Sequence, residues 1–532
     1  MPTLRIDDRQ VEVPEGATIL DAARQLGIDI PALCFREGCE PSTSCMVCLV
    51  KLKGPDKFVP SCGARAEDGM VIESETDEVR DARRSALELL LSDHPADCIA
   101  PCQTICPGRM NIPRMIRQMA AGDVAAAAET ARSALVLPAT LGRICPAPCE
   151  KGCRRAHHDA AVAIRLLHRH AADTDLASGA PWTPPCKTPT GKRIAIIGAG
   201  PAGLAAAWRL LQEGHGATLF DGRDAPGGML CHGIEEDVLP RRVLDAEIAL
   251  IEQLGAAFRM GTKVGRDVAV DELARDFDAV LVACGRIEQA DADGLGLEAS
   301  EKGLAANRRT FETPTAGVFA AGDALQVRRM AVRAVADGKA AAGSIIQYLA
   351  GEPVAAPARP FTTRLGRPTD DEMAVMLDAA TRDPRIPPSG GEAAGFTADE
   401  ARREAPRCLH CDCRKADTCL LRKWSVALGA RPTRHTGTRR PFELHTAHPD
   451  VVYEPGKCIA CGLCVQTAAQ KGEALGLAFS GRGFGVRIAV PFHETLAAGL
   501  KVASAECVAA CPTGALAYKN DVYAPSPPRA KS

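Results

Sequence analysis

A surplus of charge of either sign is missing from this 532-residue sequence: 64 Lys and Arg stand against 66 Asp and Glu, a net charge of −2. That removes any electrostatic case for nucleic acid or an anionic membrane as partner. Long apolar runs are missing too, and none approaches the roughly 20 residues that a transmembrane segment needs. The opening stretch, MPTLRIDDRQVEV, lacks the charged-then-apolar order of an export signal. A cytoplasmic location with reduced thiols is therefore expected. Three tryptophans and four tyrosines decide nothing. No acid–base or nucleophile constellation for an organic substrate is legible.

Cysteine is what the chain has in quantity. There are 23, bunched as five in 34–62, six in 98–153, four in 408–419 and five in 458–511, with Cys186, Cys231 and Cys284 apart. Reduced, bunched thiols favour metal ligation over disulfides. Iron–sulfur ligation needs such spacing, because four thiolates must meet one small cluster. The length implies roughly three to five domains, and the apolar content suffices for their cores.

Residues 1–78 read as one module. TLRID and QVEVP alternate around Asp7 and Asp8, which predicts a β-hairpin. Ala17–Leu26 has helical spacing, with Gly27 as its stop. The cysteines then run Cys34-x10-Cys45-x2-Cys48-x13-Cys62. This order resembles a β-grasp ferredoxin, the N-terminal 2Fe–2S domain of the large peripheral subunit of respiratory complex I and of related hydrogenases and formate dehydrogenases. The resemblance implies a 2Fe–2S cluster on those four cysteines. Cys39 lies outside the pattern and reads as a spare loop thiol.

Residues 79–172 contain DCIAPCQTICP, NIPRMIRQMAAGD and LGRICPAPCEKGC. They resemble the helical domain of the glutamate synthase small subunit and dihydropyrimidine dehydrogenase, which carries two 4Fe–4S clusters. The resemblance implies one cluster on Cys98, Cys102 and Cys153, with its fourth position at His94. It implies a second on Cys106, Cys145 and Cys149, with its fourth position at His168. Imidazole replaces thiolate on iron in Rieske centres and raises the potential. Plainer readings stay open: His94 precedes Pro95 where it could cap a helix end, and His168 sits in the helical run VAIRLLHRH. Complex I relatives also begin a one-histidine, three-cysteine cluster with His-x3-Cys, but their later spacing differs.

After a Pro-, Thr- and Gly-rich linker (173–190), residues 190–352 read as a nucleotide fold. KRIAIIGAGPAGLAAAWRLLQEGHGATLFD places a strand before Gly198, Gly200, Pro201, Ala202 and Gly203, then a helix, then a strand ending at Asp221. Such glycines let a pyrophosphate approach the helix N-terminus, and an acid at the second strand's end suits a ribose. APGGML, with Gly228 and Met229, and TAGVFAAGDA, with Gly322 and Asp323, resemble the FAD-binding segments of glutamate synthase and thioredoxin reductase flavin folds. In those relatives an NAD(P)H domain separates the two regions. Here only 286–316 remain, about the ~30 residues of a single βαβ unit, so the pyridine nucleotide domain reads as deleted. Cys231 and Cys284 read as small buried fillers.

Residues 353–395 read as a largely extended linker. In 396–425, Thr397 and Glu400 form a capping box ahead of Cys408-x2-Cys411-x-Cys413-x5-Cys419. That quartet suits 4Fe–4S or tetrahedral zinc, or binds no metal. In 440–520, YEPGKCIACGLCVQTA and ECVAACPTGALAY resemble halves of a bacterial ferredoxin. Crossed ligation in that family implies one surviving 4Fe–4S cluster on Cys458, Cys461, Cys464 and Cys511, with Cys507 orphaned.

The expected fold is multidomain α/β and α+β: β-grasp ferredoxin, helical double-cluster domain, Rossmann-like FAD domain and C-terminal ferredoxin-like domain. The expected function is that of an oxidoreductase subunit carrying FAD, one 2Fe–2S and three or four 4Fe–4S clusters. It would pass electrons between partner redox subunits of complex I, formate dehydrogenase or hydrogenase type in a hetero-oligomer. Two rivals stand beside it: a self-sufficient NAD(P)H oxidoreductase, and a structural scaffold subunit.

Overall fold

The computed structural model describes residues 1–435 and 437–519. Residue 520, the expected end of the last domain, lies outside the described residues. The chain divides into two compact units. Unit 1 comprises 1–100, 360–381 and 409 onward; unit 2 comprises 101–359 and 382–408.

Unit 1 begins with the hairpin of β1 (Thr3–Ile6) and β2 (Arg9–Glu12). Asp7 and Asp8 turn it with φ of 47° and 65°, both left-handed as a tight two-residue turn requires. The helix Ile19–Gln25 starts at Thr18, whose hydroxyl accepts from the Asp21 N–H while Asp21 accepts from the Thr18 N–H. Strands β3 (Leu49–Leu52), β4 (Lys57–Pro60) and β5 (Val71–Glu73) complete a sheet of order β2–β1–β5–β3–β4. Leu4, Ile6, Ile19, Leu20, Val50 and Ile72 share its core. Ser74 donates to Asp7 through both N–H and hydroxyl, which ties the hairpin to β5.

Unit 2 opens with helices between Pro101 and Ala177 that span the second cysteine bunch from Cys102 on. A parallel sheet follows: β6 (Arg193–Ile197), β7 (Gly216–Asp221), β8 (Ala257–Met260) and β9 (Ala279–Val282). The small hairpin of β10 (Ala299–Ser300) and β11 (Gly303–Leu304) precedes β12 (Val318–Ala320). The order is β12–β9–β6–β7–β8. Along β6, Ile194 and Ile196 enter one core while Ala195 and Ile197 enter the other. Coverage on both faces explains the unbroken apolar run of this strand. Segment 286–316 holds the helix Gln289–Leu295 and the β10–β11 hairpin.

The expected extended linker differs from what forms. Asp370–Asp378 is a helix with Thr369 and Glu372 as its capping box. Glu372 also takes the Arg439 guanidinium and the Phe442 N–H, and these distant partners hold the segment within unit 1. The C-terminal part pairs β13 (Val451–Tyr453) with β16 (Leu516–Tyr518), and β14 (Ala478–Ser480) with β15 (Arg487–Ala489), all antiparallel. Among the described residues no helix is long and apolar enough to cross a membrane.

One buried carboxylate joins the two parts of unit 2. Glu247 accepts from the N–H groups of Ala139 and Thr140 at 2.8 Å each, at the start of helix Pro138–Ile144. Burial pushes its carboxyl up to about 7, against those donors, which hold it down. The folded protein therefore keeps this proton where the unfolded chain has released it. The stability linked to it is complete below about pH 4.5 and is lost as pH rises through about 7. The urea midpoint of the wild type should fall more between about pH 5 and 7.5 than that of Glu247→Gln, which cannot titrate. Parallel pH profiles would refute this linkage.

Candidate metal and nucleotide sites

The loop after helix Ile19–Gln25 brings Cys34, Cys45, Cys48 and Cys62 together, each at most 3% exposed. The thiols of Cys34, Cys45, Cys48 and Cys62 lie close enough to act on one another's ionisation. Its neighbours push the Cys34 thiol down, while neighbouring thiols and burial push those of Cys45 and Cys62 up. Met46, at φ 55°, supplies the left-handed step between Cys45 and Cys48. Cys39 stays outside the set, with Gln470 Nε2 3.9 Å from its sulfur. Among the described residues no three ligand-type side chains are arranged around a single ion. A cluster asks for something different, since its cysteines spread over separate irons.

The second set in unit 1 lines one cavity: Cys458, Cys461, Cys464 and Cys511 face it with Tyr453, Ile459, Ile488 and Leu516. Tyr453 donates its hydroxyl to the Ile488 carbonyl at 2.8 Å. Cys507 is fully buried on helix Ser504–Ala510, in the adjoining core, its thiol 3.5 Å from the Cys464 carbonyl.

In unit 2, Cys106, Cys145 and Cys149 lie close enough to act on one another's charge. Burial pushes the Cys145 and Cys149 thiols up. His168, 3% exposed on helix Ile164–Ala177, bonds the backbone at Pro138 and leaves Nδ1 buried without a hydrogen-bond partner. Burial pushes its imidazole down to about 4, so it is neutral at pH 7. A neutral ring with one nitrogen bonded to backbone and the other open is what iron ligation uses.

The sequence grouped Cys98 with Cys102 and Cys153, and Cys408 with Cys411, Cys413 and Cys419. The boundaries of the two compact units run through both groups. Cys98, Cys411, Cys413 and Cys419 belong to unit 1, while Cys102, Cys153 and Cys408 belong to unit 2. Cys408 is buried in the core against which Cys102 and Cys153 pack. Spacing within 408–419 gave no sign of this division, because the chain leaves unit 2 directly after Cys408.

The nucleotide fold shows a cradle that side chains would fill. Gly198 has φ +111°, and a Cβ there would lie 2.5 Å from the Ala283 carbonyl oxygen. A Cβ on Gly203 would run into the Gly198 carbonyl, and one on Gly228 would lie 2.9 Å from Gly200 Cα. Pro201 begins helix Pro201–Gln212, and Asp221 accepts from the Ala199 and Arg223 N–H groups at 2.9 and 3.0 Å. Gly322, at φ +66°, abuts Ala202, and Asp323 accepts from the Arg328 N–H at 2.9 Å. Met229 starts a short exposed helix. Gly338 escaped the sequence reading. It lets helix Ala331–Leu349 pack on the Ala202 carbonyl, and its signal was an isolated glycine inside a helical run. Cys284 corrects an expectation: it is exposed, in the turn beyond β9, while Cys231 is half-buried.

Comparison with known proteins agrees with this architecture. Residues 1–77 match the family described as 2Fe-2S iron-sulfur cluster binding domain. Residues 78–180 match dihydropyrimidine dehydrogenase domain II, 4Fe-4S cluster, and 196–255 match NAD(P)-binding Rossmann-like domain. The beta subunit of NADP(+)-dependent formate dehydrogenase of Moorella thermoacetica is 39% identical over 207 residues, 35% of this chain and 29% of the relative. The beta subunit of NADPH-Fe(3+) oxidoreductase of Geobacter sulfurreducens is 36% identical over 207 residues, 38% and 30%. The small chain of glutamate synthase [NADPH] of Bacillus subtilis is 42% identical over 156 residues, 29% and 31%. The chain thus spans less than a third of the length of these relatives. It joins a 2Fe–2S domain, a 4Fe–4S domain of the dihydropyrimidine dehydrogenase type and a Rossmann-like nucleotide-binding domain.

Gly198→Ala should strain the turn and push β9 away from β6, at a cost of about 1–3 kcal/mol. A lower Tm together with a nucleotide content well below one per chain is the expected result. Full occupancy at unchanged Tm would show that the turn tolerates a side chain.

Proposed function

We propose that the chain is an electron-transfer subunit, an iron–sulfur flavoprotein oxidoreductase that links partner redox subunits. The carrying observation is the gathering of buried thiols at several places in a chain that also holds a nucleotide fold, whose glycine cradle resembles FAD-binding segments. The residues suit the groups. Cys34, Cys45, Cys48 and Cys62 would hold 2Fe–2S. Cys458, Cys461, Cys464 and Cys511 would hold 4Fe–4S, as would Cys106, Cys145 and Cys149 with His168. Cys102, Cys153 and Cys408 supply three thiols of another site. FAD, when bound, exchanges electrons in pairs or singly, while clusters carry one each.

The chain's own part is to place and shield these groups. Gly198, Gly200 and Gly203 leave room for a pyrophosphate at the N-terminus of helix Pro201–Gln212. Burial keeps water from the thiols. Electron entry from a partner follows from the shortness of 286–316, which holds one helix and one hairpin. Partners of formate dehydrogenase type fit the names of the similar beta subunits.

A self-sufficient NAD(P)H oxidoreductase is the second reading, favoured by the match of 196–255 to an NAD(P)-binding family. The two separate anaerobically. With NADH or NADPH alone, the flavin absorbance of the isolated chain should stay unchanged; prompt bleaching establishes the second reading instead.

The C-terminal set gives a sharper check. Cys511→Ala should remove about four irons and four sulfides per chain, as a lost 4Fe–4S cluster would. Cys507→Ala should keep them all and cost only about 1 kcal/mol as a small core truncation. Iron loss from Cys507→Ala would reverse the assignment.

A further inference from the structure

Besides Cys507, three buried thiols of unit 1 belong to neither set described there: Cys98, Cys413 and Cys419, exposed by 8%, 7% and 7%. None forms a disulfide. They come from segments remote in sequence, yet the backbone joins those segments directly. The Cys413 N–H donates to the Cys98 carbonyl at 3.4 Å. The Cys98 sulfur lies 3.3 Å from the Thr363 hydroxyl. The Cys413 sulfur occupies the space that a side chain on Gly514 would take. Cys419 begins helix Leu420–Ala427, where the Leu420 N–H donates to the Pro512 carbonyl at 2.9 Å. Cys98 acts on the charge of both other thiols.

His94 stands one turn of chain before Cys98. Its imidazole is half-buried and feels Lys457 and Arg440, and Lys457 also acts on Cys413. Pro95 packs against Gly456, where a Cβ would lie 2.7 Å from its ring, and Asp93 pairs with Arg440. Thus residues 94–98 and 413–419 lie by the same Lys457, which is paired with Glu454. A buried cation there offsets part of the negative charge that thiolates bring in.

We propose that Cys98, Cys413 and Cys419, with His94 as fourth ligand, hold a 4Fe–4S cluster of their own. This rests on the iron–sulfur reading above. It divides the 408–419 motif, leaving Cys408 to the site of Cys102 and Cys153. The new site adjoins the C-terminal set, because Lys415 donates to the Val508 and Cys511 carbonyls at 2.7 Å each.

The test uses the full chain, purified anaerobically, with iron, sulfide and zinc analysis and EPR of the reduced protein. Cys98→Ser and Cys413→Ser should each lose about four irons and the same EPR signal, and the double variant should lose no more. Cys408→Ser combined with Cys413→Ser should lose about eight irons. His94→Cys should keep the iron but move that signal's midpoint potential downward, since thiolate replaces neutral imidazole. That readout survives if the serine variants fold poorly. The proposal is overturned if Cys98→Ser and Cys102→Ser erase one signal while Cys408→Ser and Cys413→Ser erase another. Loss of zinc from Cys413→Ser, or an unmoved potential in His94→Cys, overturns it as well. In each of these cases the iron–sulfur reading stands; a wild-type chain without iron or sulfide sinks both.

Discussion

The ion pair of Glu404 and Arg407, with both side chains at 0% exposure, is the contact on which unit 2 depends. A buried pair is tolerated only when its remaining polar atoms are bonded. Here they are: Glu404 accepts from the Ala163 and Ile386 N–H groups, and Arg407 donates to Asp159 and to the Ala160 and Ala161 carbonyls. Arg155 donates in turn to the Arg407 carbonyl at 2.8 Å. Every partner in this network lies in 155–163 or 383–407. It therefore clamps a late segment of the chain onto the loop behind Cys153. Cys408, the next residue, has its position set by that clamp. Replacing either charge alone would leave the other buried and uncompensated, at a cost of about 3–5 kcal/mol.

Unit 1 solves the same problem with other charges. Glu372 and Arg439 pair to hold 369–378, while Lys457 sits 2.6 Å from Glu454 with Arg414 nearby. The buried thiols of this unit are costly to ionise. Burial pushes Cys419 and Cys461 up to about 12 each. Iron changes that balance, because it binds the thiolate and offsets its charge. Cluster loading and native packing are then one linked equilibrium, with protons released as metal enters. Both units would be most stable loaded, and an apo chain would carry buried thiols with nothing to gain from burial beyond their small apolar area.

Local pattern made the elements legible. The Asp7–Asp8 turn, the capping boxes at Thr18 and Thr397 and the glycine cradle after β6 all depend on neighbours within a few residues. The C-terminal set is legible for another reason, because its crossed pattern pairs the remote Cys511 with three closely spaced cysteines. Convergence across the chain was not legible. Cys98 and Cys102 are four residues apart and fall into different units; Cys408 and Cys413 do the same five residues apart. No spacing rule carries that information, since the contacts that hold 383–407 to 155–163, among them Arg407 to Asp159 and Glu404 to Ala163, join residues far apart in sequence. The helix Asp370–Asp378 was hidden for the same reason, its hold coming from Arg439.

The packing within unit 1 also bears on transfer between sites. Cys34, Cys45, Cys419 and Cys461 contribute to one apolar cluster with Leu33, Leu421 and Leu463. Ser42 fixes the first of these loops to the last by donating to the Cys461 carbonyl at 2.6 Å. Ligands of three candidate sites thus share one close-packed apolar region. Such a medium makes each site sensitive to the charge on its neighbour, since interactions are weakly screened at low effective dielectric. Lys457 and Arg440, set beside His94, would then bias where an electron rests.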